Sequence, residues 1–102
     1  MNTETKEGHQ ADHNTVSVRV RYLGAHKPFV DSHAKLDETL AALKHRVLDL
    51  FGLVEGSVEN GTKVYVFTHD SVELTNLSQT LGQLATEGHE IKLDLLEQFE
   101  QG

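Results

Sequence analysis

The chain contains no cysteine, which excludes disulfides, thiolate metal sites and a cysteine nucleophile. No apolar run approaches the ~20 residues needed to cross a bilayer, and the polar N-terminus does not read as a signal peptide, so the cytoplasm is the expected compartment and no membrane is expected as a partner. Positive charge is scarce. Nine Lys and Arg stand against 16 Asp and Glu, a formal charge of −7, which argues against a nucleic-acid or anionic-lipid surface and favours a basic or polar partner. Glycine-rich phosphate loops, a nucleophile elbow and paired metal motifs are all missing. No catalytic residue and no cofactor are therefore expected, and the chain does not read as an enzyme.

The 102 residues suit one domain and are too few for two separate cores. Only 37% of them are hydrophobic, but these fall in periodic blocks that a disordered chain would not show. Residues 1–14 have no apolar period and are expected to form a flexible arm. From Thr15 to Tyr22 the sequence T-V-S-V-R-V-R-Y alternates, with Val16, Val18, Val20 and Tyr22 on one face and Ser17, Arg19 and Arg21 on the other, the pattern of a half-buried strand. Leu23-Gly24-Ala25-His26 supplies a turn. Lys27-Pro28-Phe29-Val30 can return as a second strand, with the only proline suited to an edge or a strand entry.

After Asp31-Ser32-His33 the period changes. Leu40, Leu43, Val47, Leu50 and Phe51 recur at helical spacing, with Asp37 or Thr39 as candidate caps and Gly52 as the stop, so a helix is expected from about residue 39 to residue 51. Asp37-Glu38 fits the positive end of the helix dipole better than an acid–base pair. Glu59-Asn60-Gly61 turns the chain into an alternating strand, Lys63 to Phe67. Val72 and Leu74 suggest a brief strand, Thr80 to Leu84 a helical turn, and Glu87-Gly88 a reversal. In the last strand Ile91, Leu93 and Leu95 alternate with Glu90, Lys92 and Asp94.

Seven histidines are present. His9 and His13 lie four apart near Glu7 and Asp12, but in a polar segment with no second ligand cluster, so no metal site is expected. His26, His33, His45, His69 and His89 are scattered and read as surface residues. Lys35 and Lys44 could accept a modifier, as any exposed lysine could.

A hairpin, a helix and further strands predict an α+β fold with the helix across one sheet face. The hairpin Val16 to Val30, the helix face Leu40-Leu43-Val47, the Thr80-Leu81-x-x-Leu84 turn and the Ile91-x-Leu93-x-Leu95 strand resemble ubiquitin-like β-grasp proteins in order and interval. That resemblance implies a mixed four- or five-stranded sheet on one main helix over residues 15–95, followed by a flexible tail over 96–102.

The resemblance also implies a function. Modifiers and sulfur carriers of this family are adenylated on a C-terminal glycine by an activating enzyme, a role that falls on Gly102. Leu96, Glu97, Gln98, Phe99, Glu100 and Gln101 would be the extended tail that the enzyme grips. Glycine suits a narrow channel because it lacks a Cβ, and seven extended residues would reach at most about 23 to 25 Å. Gln101 stands where the familiar double glycine would begin, which weakens the sulfur-carrier reading more than the modifier reading. Glu97 and Glu100 make the tail acidic, so a cognate enzyme should be basic there, and a bacterial ubiquitin-like conjugation system fits better than the eukaryotic one. Conjugating enzymes, a deconjugating peptidase and target proteins are then the further partners. The alternative is an unconjugated interaction module. If Val64 and Val66 enter the core, alternation turns Tyr65 and Phe67 outward as an aromatic partner patch; the reverse alternation buries both rings.

Overall fold

A computed structural model describes residues 15–85 and 90–101. The proposed N-terminal arm with His9 and His13, the Glu87-Gly88 reversal with His89, and Gly102 lie outside them. The elements are β1 (Thr15–Tyr22), β2 (Phe29–Lys35), α1 (Leu40–Phe51), β3 (Gly56–Val58), β4 (Gly61–His69), β5 (Val72–Glu73), α2 (Leu81–Leu84) and β6 (Ile91–Gln101). The fold is α+β. Its mixed sheet has six strands in the order β2-β1-β6-β4-β3, with β5 attached to β4, more than the four or five that the sequence pattern predicts.

β1 and β6 run parallel at the centre, with Val18 opposite Ile91, Val20 opposite Leu93 and Tyr22 opposite Leu95. Of these inward side chains the valines, Ile91, Leu93 and Leu95 are buried and Tyr22 packs partly buried against them, as alternation requires. Leu40, Leu43 and Val47 of α1 close the core from one side of the sheet. The Thr39 hydroxyl accepts the Ala42 N–H at 3.2 Å, which caps one end of this helix. At the other end Gly52 takes the left-handed conformation (φ 72°) that favours glycine. Leu50 is not part of the inner face; it is 62% exposed, and it is Phe51 that meets Tyr22, at 5.5 Å between ring centroids. The turn at α2 carries a full capping box between Thr80 and Gln83, and Leu40 N–H donates to Gln79 O while Leu81 N–H donates to Glu38 O, so the two helix starts are tied together.

β2 begins later and runs further than expected. Pro28 precedes it, and Asp31-Ser32-His33 belongs to the strand. One extra residue on β2 shifts its register against β1 between Val16 and Val18, so that Phe29 and Ala34 both reach the core despite their odd spacing. Arg46 fastens α1 to this edge. It bonds Asp31 at 2.9 Å and Glu38 at 2.7 Å and sits 5.4 Å from the centre of the Phe29 ring. Burial works to raise the Asp31 pKa, but the His33 N–H and the Arg46 guanidinium outweigh it and hold the carboxyl below its usual range.

The free tail expected after Leu95 is instead the second half of β6. Pairing with β4 continues from Val66 opposite Leu96 to Gly61 opposite Gln101. The β3–β4 hairpin, whose β3 the sequence pattern does not reveal, extends β4 far enough to give each of these residues a partner.

Candidate functional site

Two regions bear on function: the distal half of β6 and the outer face of the sheet that it helps to form. The aromatic pair expected on that outer face is not there. Tyr65 is 1% exposed and Phe67 is 0% exposed, so both rings face the core and the patch built on them is overturned. Val64, Tyr65, Val66 and Phe67 are four consecutive apolar residues, and the larger rings take the interior because they remove more apolar surface from water there. Val64 and Val66 are left partly exposed on the opposite face.

Tyr65 is held on every side. Its N–H donates to Glu55 Oε2 at 2.7 Å, and the same oxygen pairs with Lys44 Nζ at 2.8 Å. Its ring meets Tyr22 edge-on at 6.1 Å, and its hydroxyl lies 3.5 Å from Glu97 Oε1. Burial pushes the phenol pKa up to about 12, and the Glu97 carboxylate adds to the shift, because both disfavour a phenolate. Lys44, with its side chain only 16% exposed and paired to Glu55, is poorly placed to accept a modifier, whereas Lys35 is exposed.

On the outer face Val66 stands opposite Leu96, which is 45% exposed, and Leu23 in the β1–β2 turn is 97% exposed. A shallow groove runs between that turn and the β4–β5 turn, lined by Arg21, Leu23, Thr68, Ser71 and Leu96 among others. Asp70 and Ser71 in the second turn both have positive φ, 54° and 71°. Beside the groove, Arg21 pairs with Asp94 at 2.9 Å and Arg19 with Glu90 at 3.3 Å. Alternation carried the signal for the valines and Leu96, but only once the phase of β4 was known.

Beyond Leu95 no described residue of β6 is buried. Phe99, 50% exposed, lies over Gly61, where an added Cβ would come within 2.6 Å of Phe99 Cζ. Among the described residues no group of three or more His, Asp or Glu could hold a metal ion, and no helix is long and apolar enough to cross a membrane.

No family model and no curated protein matches the chain. Solved structures do. A Caldiarchaeum subterraneum ubiquitin aligns with a TM-score of 0.60 at 15% identity, over 85% of this chain and 98% of its own. The chain has the ubiquitin-like β-grasp fold. A structure described as "Molecular Mimicry of SUMO promotes DNA repair" aligns equally well, with a TM-score of 0.60 at 11% identity over 82% of this chain and 92% of its own. Within the β-grasp frame of this chain, β1 and β6 fix the core and the outer sheet face, while the far end of β6 leaves the core altogether.

Proposed function

We propose that this ubiquitin-like protein is a modifier, joined to target proteins through Gly102 after a separate enzyme has activated it. The Gly102 carboxylate, encoded last or exposed by a peptidase, attacks the α-phosphorus of ATP; an acyl-adenylate forms and pyrophosphate leaves. A nucleophile on the conjugating machinery or the target, such as a lysine amine, then displaces AMP. The chain supplies no catalytic group and no cofactor of its own. The observation that carries this reading is the absence of any buried side chain from Leu96 to Gln101. This stretch can be lent to an active site without opening the core, and once detached its six residues span about 20 Å. Glu97 and Glu100 call for a basic channel in the activating enzyme, with Leu96 and Phe99 as its apolar contacts. A conjugating enzyme, a deconjugating peptidase and protein targets complete the set of partners.

The test uses activating-enzyme candidates from the same gene neighbourhood. Wild-type protein should support ATP–pyrophosphate exchange, and deletion of Gly102 or Gly102→Val should abolish it while thermal melts stay unchanged. Undiminished exchange in the deletion would rule Gly102 out. A second reading, an unconjugated binding module, draws on the exposure of Leu96 and Leu23 beside Val66. It predicts that Leu96→Glu weakens partner binding while deletion of Gly102 does not.

A further inference from the structure

The modifier reading asks for a tail that can leave the domain, yet Leu96 to Gln101 is zipped against β4 in six consecutive pairs, from Val66–Leu96 to Gly61–Gln101. Two features of this stretch bear on its release. First, it pairs with β4 alone among the described strands and buries no side chain. The β1–β6 pairing stops at Tyr22–Leu95, so among the described residues the far edge of the distal half has no strand partner, and only every second amide can bond to β4. Second, its closest side-chain seat depends on one missing atom. At Gly61 the three nearest neighbours of an added Cβ all belong to β6: Glu100 O at 2.3 Å, Phe99 Cζ at 2.6 Å and Phe99 Cε1 at 3.0 Å. Gly61 does not have a positive φ, so its backbone does not require glycine. What requires it is the approach of β6.

We infer that the distal half of β6 is a latch: β4 holds Leu96–Gln101 in a closed, paired state, Phe99 seated on Gly61 is the catch, and the strand must unzip as far as Leu95 before a C-terminal carboxylate can enter another enzyme's active site. Leu95 sets the limit, because it is buried and paired to both β1 and β4. The latch rests on the modifier reading for its purpose but not for its existence. Closure acts on activation through the open fraction alone. An enzyme that takes only the open tail sees its apparent affinity reduced by that fraction, and a change that favours opening restores it.

Gly61→Ala is the opening variant. Its methyl group meets Glu100 O and the Phe99 ring of β6 first, and no positive φ disfavours alanine there. The closing variant pairs Val64→Cys with Gln98→Cys, residues that stand opposite each other in a chain with no other cysteine, so that oxidation staples β6 to β4 and reduction frees it. Hydrogen exchange by NMR reads the latch directly. In the wild type the β4-bonded amides between Leu96 and Gln101 should exchange at least about tenfold slower than in an unstructured chain. Gly61→Ala should abolish that protection while Val18, Leu43 and Leu93 keep theirs. In ATP–pyrophosphate exchange Gly61→Ala should lower KM severalfold, and the oxidised cysteine pair should be inert until reduced. Unprotected distal amides in the wild type, or exchange unaltered by Gly61→Ala, overturn the latch. Equal activation of wild type, Gly61→Ala and the oxidised pair overturns its role. Failure of every form to support pyrophosphate exchange, with the amide pattern as expected, overturns the modifier reading and leaves the closed state standing.

Discussion

β6 is one strand with two different lives. Ile91, Leu93 and Leu95 all pair with β1, Leu95 with β4 as well, and all three are buried under α1, where they help to hold the molecule together. From Leu96 onward the same strand keeps the same geometry and pairs with β4 alone among the described strands, but it has no buried side chain. Backbone pairing alone therefore does not make a segment part of the fold. Stability resides where apolar surface is removed from water, and that surface ends at Leu95. On β4 the boundary falls at Tyr65, the first buried side chain of that strand in chain order, which stands opposite Glu97.

The sharpest way to break this comparison is to truncate one residue on each side of the boundary. Leu93→Ala removes a buried side chain from the centre of the sheet and should cost about 2 to 5 kcal/mol, whereas Leu96→Ala, three residues further on and half-exposed, should stay within about 0.5 kcal/mol. Urea denaturation of both measures the gap. Similar losses from the two would mean that the distal half is structural.

A smaller effect is expected at Glu55, which fixes β4 at the boundary from its other edge. β3 pairs no further than Gly56 with Lys63, and the Tyr65 N–H beyond it is satisfied by the Glu55 carboxylate. Glu55→Ala should cost about 1 to 3 kcal/mol by stranding that donor. Glu55→Gln, which keeps an acceptor and loses the charge facing Lys44, should recover much of the loss. Equal losses would place the stabilisation in the Lys44 ion pair and not in the support of β4.

How far the sequence carries to this arrangement follows from the same division. β1, α1 and the turn at α2 are legible because each has a recognisable local pattern: alternation in Val16-Val18-Val20, helical spacing in Leu40-Leu43-Val47 with Thr39 among its candidate caps, and the Thr80-Leu81-x-x-Leu84 spacing, whose capping box only the structure shows. The phase of β4 is not legible, since Val64 to Phe67 offers apolar side chains to both faces and only the volume of the core decides between valines and rings. β2 is obscured by its extra residue, which puts the polar run Asp31-Ser32-His33 inside a strand. The distal half of β6 looks like a tail because Leu95-Leu96 breaks the alternation at the point where the core ends. Its pairing comes from β3 and β4 folding back alongside, which no local pattern in β6 records.

The last and smallest effect tests the boundary through a proton. The Tyr65 phenol has its pKa raised to about 12, above the usual value near 10, so the folded state favours the neutral form. The stability this contributes is fully present below pH 10 and is lost as the pH rises from about 10 to about 12. At pH 11 the loss is on the order of 1 kcal/mol at most by linkage, since screening by solvent at the hydroxyl reduces it. Tyr65→Phe has no such proton to lose. Its stability relative to the wild type should therefore rise by that amount between pH 8 and pH 11 in urea titrations at the two pH values, and a flat difference would mean that the phenol is hydrated. The same titration in a Gly61→Ala background sharpens the comparison. If unzipping the distal half lets water reach the hydroxyl beside Glu97, the alkaline difference shrinks there, while an undiminished difference would show that Tyr65 is sealed by the core alone and that the boundary lies beyond it.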